Sequence, residues 1–289
     1  MRTSHIRRGT LHKDSVVLNT ADATRTRQAR EAADLRLAAV SFESAALHRE
    51  LFEVAQMQRS LSGPRMLRRG EFEISAEIFP VRHLSGDFFC LGDLGETTLL
   101  AIGDICGKGL MAAMWFTCML TLARTYGRAI ADPGAALHAI NRHLCATTPP
   151  APLTSMILAR FDHARGELLY SNAGHPAPVL LKSEGSVRFL SEGGPVLGVV
   201  SDARFETGRI ILKPNDSLIA FTDGLIECRN EHGEEFGTDR LVCESQKAMC
   251  YSPSEMLFSL MGAARDFAGE QAREDDCTLI VMKSKTESA

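Results

Sequence analysis

Apolar residues recur along this chain with two different periods, and the change from one to the other divides it. From residue 32 to residue 62 there is neither glycine nor proline, and Val40, Leu47, Val54 and Leu61 stand seven apart with Leu51 and Met57 beside them. That spacing predicts one long helix. Sustained heptads mark a coiled coil, but this repeat is short and its second seam carries Glu43 and Glu50, so a helix packed on its own domain fits equally. Gly63-Pro64 ends the pattern, because proline disfavours a helical residue before it and offers no backbone donor. Beyond residue 70 the apolar runs shorten and are punctuated by glycine. Strands are expected over residues 72–79, 97–102, 155–162, 167–171, 178–182, 186–190, 205–212, 217–222 and 277–282, and helices over 109–128, 133–145, 238–247 and 253–269. Between 155 and 222 the strands follow one another with no helix among them, which favours antiparallel sheet over alternating βαβ units. The expected fold class is α+β.

Composition adds the outline. A chain of 289 residues that is 45% hydrophobic can bury a sizeable core. The first thirty residues hold seven Lys or Arg against two Asp and no aromatic residue, so residues 1–31 are expected to form a basic flexible tail. The net charge of −4, with both signs mixed, gives no case for nucleic acid or an acidic membrane. The longest apolar run, residues 110–123, is shorter than the ~20 residues that cross a bilayer, and no apolar segment follows Arg2, Arg7 and Arg8 as in a secretory signal. A cytoplasmic location is expected. The eight cysteines are scattered without a Cys-x-x-Cys pair, which argues against zinc and disulfide frameworks.

The candidate chemistry lies in acids at the predicted strand ends. Asp87 stands in Ser85-Gly86-Asp87-Phe88-Phe89, and Asp104 in Gly103-Asp104-Ile105-Cys106-Gly107-Lys108-Gly109. Asp223 follows Phe221-Thr222, and Asp275-Asp276 precede Cys277. Oxygen donors without His or Cys suit hard cations such as Mg²⁺ or Mn²⁺. An Asp at a strand end is also a common turn former, and spacing alone leaves both readings open.

Six segments, in order, carry a resemblance: Ser85 to Phe89; Gly103 to Ala113; Asn172-Ala173-Gly174-His175-Pro176-Ala177-Pro178; Gly194-Pro195-Val196-Leu197-Gly198; Thr222-Asp223-Gly224-Leu225-Ile226-Glu227; and Asp275-Asp276-Cys277-Thr278. Together they resemble the motifs of the SpoIIE/RsbU-type bacterial protein serine phosphatases, a branch of the metal-dependent PP2C-like (PPM) phosphatases. The resemblance covers residues 70–284 and implies a PP2C-like sandwich of two antiparallel sheets flanked by helices, here preceded by the helix at 32–62. It implies two divalent cations, Mn²⁺ or Mg²⁺, held by Asp87, Asp104, the Ile105 carbonyl, Asp223 and Asp275, with Asp104 the bridge. Asp87 and Asp104 would then be catalytic through the water that the ions activate.

Asp276, Gly224, Lys108 and His175 are further candidates. Lys108 would meet the phosphate or face solvent; His175 would protonate the leaving group or serve a structural turn. The implied substrate is a phosphorylated STAS-type anti-sigma factor antagonist in a partner-switching pathway. Glu53 to Leu61 resembles the family's joining helix, which implies a regulator or a dimer partner. Two residues depart from the pattern: Ser85 replaces a glycine and Cys90 an aspartate. A non-enzymatic docking module and a nucleotide phosphodiesterase are the competing readings.

Overall fold

The computed structural model of the protein describes residues 11–147 and 151–284. The chain divides into two units, Met1–Glu53 and Val54–Ala289. Helix α1 spans Leu11–Leu61, so it starts well before residue 32, and the expected flexible tail is helical from Leu11 onward; residues 1–10 lie outside the described residues. The reason is local. No glycine or proline occurs between Gly9 and Gly63, and a run rich in Ala, Arg, Leu and Glu is helical by propensity even where it has no core to bury. In this first unit Leu35, Leu37, Val40, Phe42 and Leu47 are exposed.

The second unit holds the remaining elements. Its first strands are β1 (Met66–Arg69), β2 (Phe72–Phe79), β3 (Phe88–Asp93) and β4 (Thr97–Ile105), followed by helices α2 (Leu110–Ala129) and α3 (Pro133–Cys145). Seven strands come next: β5 (Thr154–Asp162), β6 (Glu167–Ala173), β7 (Val179–Leu181), β8 (Val187–Phe189), β9 (Gly193–Gly194), β10 (Gly208–Ile211) and β11 (Ser217–Phe221). Helices α4 (Asp223–Ile226), α5 (Gly237–Lys247) and α6 (Pro253–Ala268) precede the last strand, β12 (Cys277–Ser284). One sheet runs β1-β2-β12-β11-β7-β8 and the other β10-β6-β5-β4-β3. All pairings are antiparallel except the two-residue contact of β9 with β6.

The sandwich follows from strands that are apolar on both faces. In β11, Leu218 and Ala220 join the core between the sheets, while Ile219 and Phe221 face α5 and α6. In β12, Ile280 and Met282 point inward, and Leu279 and Val281 outward. Helices α2 and α3 cover the second sheet in the same way. Each large side chain fully buried like this contributes about 1.5–3 kcal/mol. The same property hid β3 from the periodicity, because Phe88, Phe89, Cys90 and Leu91 are all buried and do not alternate. Among the described residues no helix is long and apolar enough to cross a membrane.

The register brings five chain segments to one end of the sandwich. Phe88 at the start of β3 pairs with Gly103 near the end of β4, Phe221 at the end of β11 pairs with Leu279, and Cys277 at the start of β12 pairs with Phe79 at the end of β2. Gly103 has no room for a side chain: a Cβ there would lie 2.5 Å from both the Phe88 ring and the Ser155 carbonyl. Gly103→Ala is therefore expected to lower stability by about 1–3 kcal/mol. Urea denaturation followed through the single tryptophan, Trp115, measures this, and an unchanged midpoint would show that the strands have slack there.

Candidate metal centre

Asp87 is buried in the loop that leads into β3. Its Oδ2 accepts hydrogen bonds from the hydroxyls of Thr222, at 2.7 Å, and Thr278, at 2.8 Å. The Thr222 hydroxyl oxygen accepts in turn from the Thr278 backbone N–H at 2.8 Å. One carboxylate oxygen thus fastens the β3 entry to the site ends of β11 and β12. Burial holds the Asp87 carboxyl well above the usual range, the neighbouring Asp104 charge adds to this, and the two threonine hydroxyls oppose it.

Asp104, near the end of β4, feels the other acids at this end of the sandwich. Burial, followed by the charges of Asp223, Asp275 and Asp276, raises its pKa to about 6, while a hydrogen bond with Asp87 acts the other way. Asp223 is raised by burial and then by the Asp275 charge, against the Gly224 backbone N–H. The Ile105 carbonyl opens onto the same place, since a carbon added to Gly86 would lie 3.2 Å from that oxygen and 3.5 Å from Asp104 Oδ1. Every donor here is a hard oxygen, and the acids raise one another's pKa. That is the environment a divalent cation fits. Among the described residues no three acidic, histidine or cysteine side chains close on one point; Asp87 turns to the threonines and Asp275 to a lysine.

That lysine is Lys108, whose Nζ pairs with Asp275 Oδ2 at 2.9 Å and donates to the Glu274 carbonyl at 3.0 Å. It is half-exposed and tied to an acid of the site. Asp276 does different work from Asp275: its two oxygens accept from the backbone N–H groups of Val81, at 2.8 Å, and Gly86, at 3.1 Å, which straps the loop before Asp87. Gly224 permits a close crossing, because a Cβ there would lie 1.9 Å from the Asp276 carbonyl oxygen.

His175 lies between β6 and β7. It is buried, and that burial lowers its pKa to about 3, so the ring is neutral at physiological pH. Its Nδ1 lies 2.7 Å from the Ser155 hydroxyl, and its backbone exchanges hydrogen bonds with the Asn172 side chain. It belongs to the turn. Cys90 is buried away from the acids and takes the Arg124 Nε–H at 3.4 Å. At the other departure, the Ser85 hydroxyl donates to the Asp87 carbonyl at 3.2 Å.

Sequence reasoning missed Thr222, Thr278 and Gln58. The two threonines sit inside motifs already quoted, each next to a strand end. Gln58, near the end of α1, pairs its amide with the Ser85 backbone in both directions at 3.2 Å. No motif in the sequence marks Gln58; its burial shows only in the structure.

An antiparallel sandwich of two sheets between helices, with acids gathered at one end, is the architecture of PP2C-type phosphatase domains. The structure matches the SiaA-PP2C domain of Pseudomonas aeruginosa with a TM-score of 0.72 at 17% identity, over 83% of this chain and 98% of that one. It matches the RsbU and RsbW domains of Rv1364c from Mycobacterium tuberculosis with a TM-score of 0.65 at 26% identity, over 75% of this chain and 61% of that one. In sequence it is 26% identical over 239 residues to the phosphoserine phosphatase RsbU of Bacillus subtilis, covering 82% of this chain and 70% of that protein. The family model for Stage II sporulation protein E matches residues 95–285, and the chain belongs to the SpoIIE family. By fold and family it is a protein phosphatase of the PP2C type.

The raised acids fix a sign for pH dependence. With a folded pKa of about 6 against an ordinary 3.8, Asp104 favours folding at low pH, and that contribution is lost as pH rises through about 6. In the presence of a chelator, Asp104→Asn is expected to melt above the wild type at pH 7, with the gap narrowing toward pH 4. Mn²⁺ should raise the melting temperature of the wild type at pH 7 more than that of the variant. A gap independent of pH would remove Asp104 from the repelling cluster.

Proposed function

We propose that this PP2C-type phosphatase holds two divalent cations, Mn²⁺ or Mg²⁺, on Asp87, Asp104, the Ile105 carbonyl, Asp223 and Asp275. Its reaction is the hydrolysis of phosphoserine or phosphothreonine on a STAS-type anti-sigma factor antagonist. The observation that carries this reading is that Asp104 interacts with Asp87, Asp223, Asp275 and Asp276 at one end of the sandwich. The cations, when bound, supply a water-derived nucleophile at neutral pH and neutralise the phosphoryl oxygens.

The chain's own residues then have limited tasks. Asp104 would serve both cations, and Asp87 would offer them the oxygen that the threonines leave unused. No side-chain nucleophile is required. Burial raises the thiol pKa of both Cys90 and Cys277, which disfavours the thiolate that attack would need. Burial keeps the His175 ring neutral at physiological pH. A cation seated on Asp275 competes with Lys108, whose released ammonium would remain at the mouth of the site to meet phosphoryl oxygens. The kinship with a phosphoserine phosphatase supports serine as the target. A mycobacterial relative with RsbU and RsbW domains in one chain supports a partner-switching setting.

Two substitutions test the reading. Asp223→Asn should lower the rate of phosphate release from a phosphoserine STAS protein with Mn²⁺ by about a hundredfold or more, the upper end of the loss caused even by changing a ligand's own partner. Its circular dichroism should be unchanged; full turnover would exclude Asp223 from the centre. We further infer that α1 meets a second helix, from a regulator or another copy, through the exposed seam of Val40 and Leu47. Leu47→Asp should halve the mass seen by light scattering if the partner is another copy, or abolish capture of a regulator; a variant that keeps both would show the seam to be idle.

A further inference from the structure

The cavity at the acids is the first of three that adjoin one another through shared lining residues. It is lined by Asp104 and Asp276, and it shares Lys108 and Asp275 with a second cavity of about 320 Å³. The second shares Cys228 and Arg273 with a third of about 570 Å³. A small phosphate ester seated at the acids would leave the second and third empty. A polypeptide carrying the phosphate would continue through them.

The far end has a distinct chemistry. Phe258, Met261 and Arg265 are spaced along one face of α6 and line the third cavity together with Phe79. Phe258 meets Phe79 edge-on, with ring centroids 6.0 Å apart, yet remains 55% exposed. Next to it, a Cβ on Gly262 would find no atom within 4 Å, so the trench is open there. The basic side chains along the trench are not equivalent. Arg273 donates to the carbonyls of Phe79 and Pro80, and Arg229 pairs with Glu235 at 2.6 Å. Among the described residues Arg265 forms no ion pair. The third cavity therefore presents an apolar seat on α6 and, beside it, the guanidinium of Arg265.

We propose that the segment flanking the phosphorylated residue of the substrate protein lies in this trench. Its phosphoryl group is at the acids, an apolar side chain rests on Phe258 and Met261, and a carboxylate meets Arg265. This rests on the phosphatase reading above and gives it a sequence preference. Apolar burial at Phe258 and a charge-assisted hydrogen bond at Arg265 are each of a size that shifts selection by about tenfold.

The test is turnover by the full chain with Mn²⁺ of a degenerate phosphoserine peptide library, with p-nitrophenyl phosphate as the small substrate. The wild type should select one apolar and one acidic position on the same side of the phosphoserine, each by about tenfold over glycine. Phe258→Ala should flatten the apolar preference, and Arg265→Glu should turn the acidic preference basic, both with p-nitrophenyl phosphate turnover unchanged. Selection that is absent in the wild type, or that survives both substitutions, overturns the docking. So does turnover of p-nitrophenyl phosphate without turnover of the library, or a loss of both in the variants. A wild type that hydrolyses neither substrate overturns the phosphatase reading, and the docking with it.

Discussion

Mutual repulsion among carboxylates at one end of the sandwich is the constraint around which the second unit is arranged. Taking ionised acids out of water is costly, and placing them side by side adds to the cost. The protein tolerates the arrangement by spreading the acids over four segments, each held by backbone that the sheets fix. Only part of the cost is offset within the chain: Thr222 and Thr278 hold Asp87, the backbone of the 81–86 loop holds Asp276, and Lys108 holds Asp275. Asp104 stays raised by its burial and by the charges of Asp223, Asp275 and Asp276. A site stabilised from inside only as far as its rim has a use for charge from outside.

The sheets answer for position and the glycines for distance. Gly103, Gly86 and Gly224 each stand where a Cβ would meet backbone or a ring, and each lies beside an acid or a carbonyl of the centre. Side chains at those points would push the segments apart. The fold and the site are in this sense one object, since the close crossings that complete the core also set the separations among oxygens.

Much of this was legible before any coordinates. The change of period at Gly63-Pro64 marked the end of α1, which stops at Leu61, and the ordered motifs set Asp87, Asp104, Asp223 and Asp275 in one family pattern. Legibility failed where physics is nonlocal. Strand β3 is buried on both faces, so its apolar run carried no period. The start of α1 was misplaced because lack of a core was read as lack of helix, although propensity alone supports one. Asp275 and Asp276 are adjacent and identical in sequence; only the direction of each side chain shows that one meets Lys108 and the other straps a loop. The fate of His175 depended on its burial, which no motif records.

The two oxygens of Asp87 have unequal freedom, and that gives the position a handedness. Oδ2 takes two hydroxyl protons from Thr222 and Thr278, so whatever group stands there must turn an acceptor toward the threonines. An amide of the same shape would satisfy them with its oxygen and would then have to aim its NH₂ at Asp104. It would place a donor where a cation needs an acceptor, with its orientation decided in advance by two strands that take no part in the chemistry. The threonines therefore do more than pin the loop: they specify which face of residue 87 the site sees, and so make carboxylate the side chain that serves the fold and the centre together.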